Sequence, residues 1–388
     1  MTKGEKGIAI LGAGIFAKEA HLPALLALTK SSTPPPALKA VYSRSQPSAT
    51  DLAAFSKSLL GLATPPDVYY DVSSSNSDAS NASESLDALL ARDDISAVLV
   101  ILPITLQPSI IIQALKAGKH VLSEKPVAAS VAAALELIST YEKEYKPKGL
   151  VWRVAENFEA ESGYQLVGEI VKAGKVGEVK TFKATVVNYI DKDSKWYKTP
   201  WRTVPDYQGG FLLDGGVHTI AALRTMLPGS FTHLSAFASL SKEYLKPHDT
   251  IHSVVRGGTG NSTYHGIIEL TWAHPTPTRP QADGIIITGS QGYISVNTVY
   301  SSSGGPPVIR IKTTRLVKVD DKEKEEVDEE EVVSKGVEAE LASFFKAVEG
   351  KAEDGLGEPR EALKDVAFIQ AGLESEGKEV DLEALVKG

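Results

Sequence analysis

The chain has 388 residues, more than one ordinary core accommodates, so two domains are expected. Hydrophobic residues make up 42% and charged residues 23%, the balance of a globular protein, and a formal charge of -8 excludes a general nucleic-acid binder. Cysteine is absent, which removes disulfides, thiolate nucleophiles and zinc–thiolate sites, and no apolar run approaches the roughly 18 residues of a membrane span.

The opening MTKGEKGIAILGAG lacks the form of a signal peptide, because its short apolar run passes straight into a glycine turn. A soluble, cytoplasmic protein is expected. Residues 7–11 read as a buried strand, 12–17 as a turn and 17–28 as a helix, which SSTPPP at 31–36 ends. A second strand follows at 38–43, a helix at 48–60 and a strand at 67–71. The polar insert at 73–85 reads as a surface loop, because it cannot bury enough apolar area to order itself. Two glycosylation sequons, at Asn81 and Asn261, mean little without a secretory signal.

The alternation resumes with a helix at 84–91, strands at 95–102 and 120–124 around a helix at 108–117, a helix at 128–145 and a strand at 150–156. Uniformly apolar strands alternating with helices indicate a parallel sheet covered on both faces, a Rossmann domain over residues 1–150. Residues 151–388 are expected to form a second, α+β domain. Its strand-like runs at 179–190, 231–240, 250–257, 262–273, 282–288, 291–299 and 307–319 suit a large, mainly antiparallel open sheet. Helices are expected at 161–173, 215–227, 336–349 and 358–375, the last of them packing back on the first domain. The acidic run at 320–331 reads as a solvated loop.

Gly12-Ala13-Gly14-Ile15-Phe16-Ala17 lies directly between a strand and a helix. A dinucleotide pyrophosphate needs backbone close to its oxygens, which glycine permits, and the helix start supplies free N–H groups. Gly12, Gly14, Ile15 and Phe16 are therefore cofactor-site candidates. The second strand ends in Tyr42-Ser43-Arg44-Ser45, without the carboxylate that takes the ribose 2′-hydroxyl of NAD. Ser43 and Arg44 suit a 2′-phosphate, so NADP is favoured over NAD; alternatively Arg44 stacks on adenine or lies in solvent.

Residues 113–126, QALKAGKHVLSEKP, and 209–218, GGFLLDGGVH, resemble the Gfo/Idh/MocA oxidoreductases in sequence and order. The resemblance extends to the glycine turn, to SR after the second strand and to EPREALKDVAFIQAGLESEGKEV near the end. It implies an NAD(P)-dependent dehydrogenase or reductase acting on a sugar, polyol or related cyclic alcohol. It places Lys125, Asp214 and His218 in the active site beside the nicotinamide, as catalytic and substrate-binding residues with Lys125 also touching the cofactor, and raises the expectation of a cis Lys125–Pro126 bond. The chemistry suits these types. Hydride leaves a carbon as the attached hydroxyl loses its proton, so a base such as His218 is needed, and Lys125 can stabilise the developing alkoxide.

Asp214 and His218 share a face if that stretch is helical, with Asp214 also suited to an N-cap and His218 to the first turn. Lys125 standing alone would read as a surface lysine. Glu124 serves either structure or the nicotinamide, and Leu102 and Pro103 border the cofactor. The chain departs from the family's T-P-N-x-x-H run, with Ile104 in place of Asn and Gln107 in place of His, and has Ala221 where an acidic residue is common. Tyr189 and Arg202 are the main substrate-pocket candidates, followed by Trp152, Arg153, Asn157 and Trp201. His248, His252, His265 and His274 lack carboxylates at ligand spacing and read as structural, so no metal is expected. The resemblance also implies a homo-oligomer. The competing reading is a non-catalytic NADP-binding sensor or corepressor of the same fold.

Overall fold

A computed structural model describes residues 6–31, 34–71, 84–260, 262–280, 283–300, 304–320, 322–351 and 354–387. The chain divides into two compact units, the first of residues 1–128, 136–155 and 337–360, the second of 129–135, 156–336 and 361–388. The sequons at Asn81 and Asn261, and most of the polar insert, lie outside the described residues.

The first stretch runs β1 (Gly7–Leu11), α1 (Leu22–Leu28), β2 (Leu38–Ser43), α2 (Gln46–Leu60), β3 (Asp67–Tyr70), α3 (Leu86–Leu90), β4 (Ile95–Val100), α4 (Gln107–Lys116), β5 (His120–Glu124), α5 (Val131–Thr140) and β6 (Trp152–Ala155). A π-helical turn, Ala17–His21, leads into α1. The six strands are all parallel, in the order β3-β2-β1-β4-β5-β6. Every residue of β1 is buried, as a strand covered on both faces requires. Ile8, Ile10, Leu22, Leu52 and Leu99 form the core with Leu341 and Phe344 from the later part of the chain. Each such side chain contributes about 1.5–3 kcal/mol of burial.

The second stretch runs α6 (Ser162–Lys172), β7 (Val179–Val187), α7 (Pro200–Thr203), α8 (Phe211–Met226), β8 (Phe231–Ser239), β9 (Thr250–Thr259), β10 (Ser262–Thr271), β11 (Gly284–Gly289), β12 (Gly292–Val299), β13 (Val308–Val319) and β14 (Lys322–Val333). It closes with α9 (Gly336–Val348), α10 (Pro359–Glu374), β15 (Val380–Asp381) and α11 (Leu382–Lys387). Nine strands form one sheet, β14-β13-β12-β11-β7-β10-β9-β8-β15, antiparallel except where β7 meets β10. The expected Rossmann sheet and the mainly antiparallel second sheet are both present. One face of the second sheet is buried. In β10, Tyr264, Ile268 and Leu270 point inward, while His265 and Ile267 are exposed.

Two expectations are corrected. The acidic run is no loop: as β14 it pairs with β13 along its whole length, Val308 opposite Val333 and Val319 opposite Lys322. Arg310 bonds Glu331 and Arg315 bonds Glu326, so the acidic strand is held by basic residues on its neighbour. The second correction concerns α8, which begins at Phe211, not at 215. Gly210 is its N-cap, so Asp214 lies inside the first turn and His218 two turns in. Neither the capping role for Asp214 nor the first-turn position for His218 holds. Among the described residues, no helix is long and apolar enough to cross a membrane.

Candidate functional site

The parallel sheet brings its loops to one edge. Leu11 lies opposite Tyr42 on one side and Val100 on the other, and Val100 lies opposite Ser123. Gly12, Ser43, Ile101 and Glu124 therefore leave the sheet side by side. The strand order reverses between β1 and β4, which makes that edge the crevice where doubly wound sheets take ligands.

Gly12 donates its N–H to the Tyr42 carbonyl at 2.8 Å and has φ +121°. A Cβ there would stand 2.0 Å from the Ile101 carbonyl oxygen, so only glycine fits. At Gly14 a Cβ would meet nothing within 4 Å and would project into open space. That is the arrangement a pyrophosphate cradle requires: one glycine shapes the turn and the other keeps the approach clear. Ile15 and Phe16, half-buried, open the helical segment that follows.

At the end of β2, Ser43 is half-buried and Arg44 exposed. Ser45 caps α2, its hydroxyl accepting the Ser48 N–H at 3.4 Å. The Arg44 guanidinium and the Ser43 hydroxyl thus stand at a helix start, a place suited to a phosphate. Past β4, Leu102 and Pro103 are half-buried and Ile104 is buried. Gln107, at the start of α4, is 1% exposed, and neither atom of its amide has a hydrogen-bond partner.

Glu124 ends β5, and its Oε1 lies 2.6 Å from Nε2 of His21 in the π-helical turn. Both side chains are buried, so the helix behind the glycine loop is tied to the strand that delivers Lys125. Lys125 is half-buried and its bond to Pro126 is cis, as expected.

In the second unit α8 carries the other residues of interest. Gly209 and Gly210 have φ +76° and +51°, which turns the chain into the helix. Inside α8, a Cβ at Gly215 would stand 2.5 Å from the Trp272 ring and one at Gly216 would stand 2.8 Å from Ile369. These glycines let the helix pack close. Asp214 is buried and accepts from Nε of Arg202 at 2.7 Å. The Arg202 guanidinium lies over two indole rings, 4.0 Å from the Trp201 centroid and 5.3 Å from that of Trp196. His218, four residues on, places Nδ1 2.6 Å from Oε1 of Glu156 and lies against the Phe158 ring at 4.7 Å.

His218 lines a cavity of about 470 Å³ within this unit. Tyr189 shares the wall with the aromatic rings of Tyr164, Trp196 and Trp272, while Arg279 and Asp283 stand there as an ion pair at 3.1 Å. Tyr189 also lies under the Lys242 ammonium, 4.3 Å from the ring centroid. Burial pushes the Lys242 amine below its usual pKa. Asp214, on α8, and Arg202 bond to each other and are not among the residues that line this cavity. Trp152 and Arg153 do not belong to it: both are buried in β6, where the Trp152 indole donates to Ser123 Oγ and Arg153 pairs with Glu358. Among the described residues no group of three His, Asp or Glu side chains is placed to hold a metal.

Sequence reasoning missed Glu156, Phe158 and Arg279. The motif around His218 gives no sign of them, since Glu156 is 62 positions away.

Comparison with known proteins adds to this geometry. Residues 6–147 match a family model described as the oxidoreductase family with NAD-binding Rossmann fold. Residues 164–295 match the GFO/IDH/MocA C-terminal domain. A Fusarium mangiferae protein named dehydrogenase FPY6 is 36% identical over 95% of this chain and 96% of its own. The dTDP-3,4-didehydro-2,6-dideoxy-alpha-D-glucose 3-reductase of Streptomyces violaceoruber is 32% identical over 60% of this chain and 63% of its own. An oxidoreductase from Thermotoga maritima, solved by crystallography, superposes with a TM-score of 0.78, with 27% identity over 98% of this chain and 99% of that one.

Proposed function

The chain belongs to the GFO/IDH/MocA family of oxidoreductases, and from that premise we propose a cytoplasmic, NADP-dependent dehydrogenase or reductase acting on a sugar, polyol or related cyclic alcohol. The observation that carries the reading is His218: an imidazole in the wall of an aromatic-lined cavity, held through one nitrogen by a buried carboxylate. Aromatic faces with a few fixed polar groups suit the apolar faces and hydroxyls of a sugar. The Streptomyces relative's name, a sugar 3-reductase, agrees with that class.

In this reading residues 1–150 bind the dinucleotide and 151–388 the substrate. Gly12, Gly14, Ile15 and Phe16 take the pyrophosphate, Ser43 and Arg44 the 2′-phosphate, and Leu102, Pro103 and Glu124 border the nicotinamide. The bound nicotinamide supplies the site that accepts or returns hydride. His218 takes the substrate hydroxyl proton during oxidation and returns it during reduction, a role typically contributing about 10²–10⁴-fold. Lys125 donates to the same oxygen and stabilises its negative charge. Tyr189 presents its ring to the sugar, and the joined Asp214 and Arg202 supply further polar contacts. A homo-oligomer fits the exposed face of the second sheet, where Phe237, Val254 and Ile267 are exposed apolar residues on three neighbouring strands and Ile286 stands on the far side of Lys183.

The test mixes the purified protein with NADP or NADPH and a panel of hexoses, polyols and their keto derivatives, followed by nicotinamide absorbance. Turnover of at least one member, faster with NADP(H) than NAD(H), is expected. Cofactor binding without turnover across the panel would favour the sensor.

A further inference from the structure

His218 has a carboxylate behind it that the motif around it does not contain. Glu156 follows β6 and is 3% exposed. Its Oε1 sits 2.6 Å from His218 Nδ1 and accepts the Phe158 N–H at 3.1 Å. Phe158 in turn lies against the imidazole face with an interplanar angle of 25°. One short segment, 156–158, thus grips the ring by its edge and its face. An ionised carboxylate only accepts hydrogen bonds, so this contact places the ring proton on Nδ1 and leaves the Nε2 lone pair bare.

We propose that Glu156 is the positioning residue of His218. It fixes the Nδ1–H tautomer, aims Nε2 at the substrate and stabilises the imidazolium formed in turnover. This rests on the reading of His218 as the base. During oxidation the substrate C–H pair leaves as hydride to the oxidised nicotinamide, and the O–H proton moves to Nε2 as the carbonyl forms. The ring then carries both protons, and the Nδ1–H still points at the Glu156 charge. Reduction reverses each movement. Asp214, one turn earlier on α8, receives Arg202.

The other charged groups around the pair come from several elements. Glu159, Arg224 and Asp365 form a buried cluster behind Glu156, with Arg224 bonded to both carboxylates. Arg279 and Asp283 stand in the cavity wall as a neutralised pair. Glu156 is the group in hydrogen-bond contact with the imidazole.

The experiment follows the imidazole nitrogens of the full chain labelled with ¹⁵N-histidine across a pH series, with His218 identified by its loss in His218→Asn. The neutral wild-type ring is expected to be protonated on Nδ1. In Glu156→Gln, whose amide can donate as well as accept, the Nδ1 preference is expected to be lost and kcat to fall about tenfold or more with KM little changed. Glu156→Asp restores part of both. A wild-type ring protonated on Nε2, readable even if the variants fail to fold, overturns the proposal, as does an unchanged Nδ1 preference in Glu156→Gln. Undiminished turnover in His218→Asn would instead overturn the underlying reading of His218 as base, leaving the tautomer result intact.

Discussion

In the first unit the cofactor edge is made chiefly of backbone: a turn that only glycine can form at position 12, open space beside Gly14, and strands that end in register. In the second unit the cavity is made of side chains delivered from afar, with Phe158, His218 and Trp272 lining it from a loop, a helix and a strand end. The cofactor is common to many enzymes, and a backbone cradle recognises its constant phosphates. Substrates vary, and side chains on scattered elements are what a fold can change without losing its core.

That contrast predicts where substitutions hurt. Gly12→Ala is expected to have the largest effect, because the added methyl strikes the Ile101 carbonyl and φ is left-handed; about 3 kcal/mol or more of stability should be lost, read as a large fall in melting temperature. Gly14→Val is the sharper version. The fold should be unchanged by circular dichroism and melting, while the Kd for NADP rises about tenfold or more as the side chain fills the phosphate approach. If Gly14→Val binds NADP normally, the cradle is misplaced.

Arg44→Ala comes next. Loss of a charge-assisted contact worth about 1.5–3 kcal/mol should reduce the NADP-over-NAD preference by roughly 10–100-fold and leave NAD binding nearly unchanged. An unaltered ratio would mean that Arg44 lies in solvent or on adenine. The smallest effect concerns Asp94, at the opposite edge of the sheet. Its hydrogen bond to Arg92 lowers its pKa from 3.8 to about 2. A depressed folded pKa stabilises above the unfolded value, so this contribution is present above pH 4 and is lost as pH falls from about 4 to about 2. Denaturant midpoints of wild type and Arg92→Met should converge slightly over that window, since Asp94 is 43% exposed and solvent screens the pair.

The same contrast governs what the sequence makes legible. GAGIFA, the strand alternation and the EKP segment are local signals, and the structure has their elements where the pattern puts them; DGGVH signals a helix but not where it begins. The start of α8 was not legible because Gly215-Gly216 looks like a helix boundary; those glycines are instead interior contacts with Trp272 and Ile369. The acidic strand β14 was hidden for a related reason. Its own residues show no apolar alternation, and what holds it is the basic pattern of β13, Arg310 and Arg315. Glu156 was invisible because its significance exists only once the 156–158 segment has met α8 within the second unit.

The most direct measurement is the single-turnover rate of nicotinamide oxidation with a productive sugar carbonyl, for wild type, His218→Asn and Lys125→Ala. The account predicts that each variant keeps its melting temperature and NADPH affinity and loses about 10²-fold or more in rate. Rates within a few-fold of wild type in both variants would contradict it.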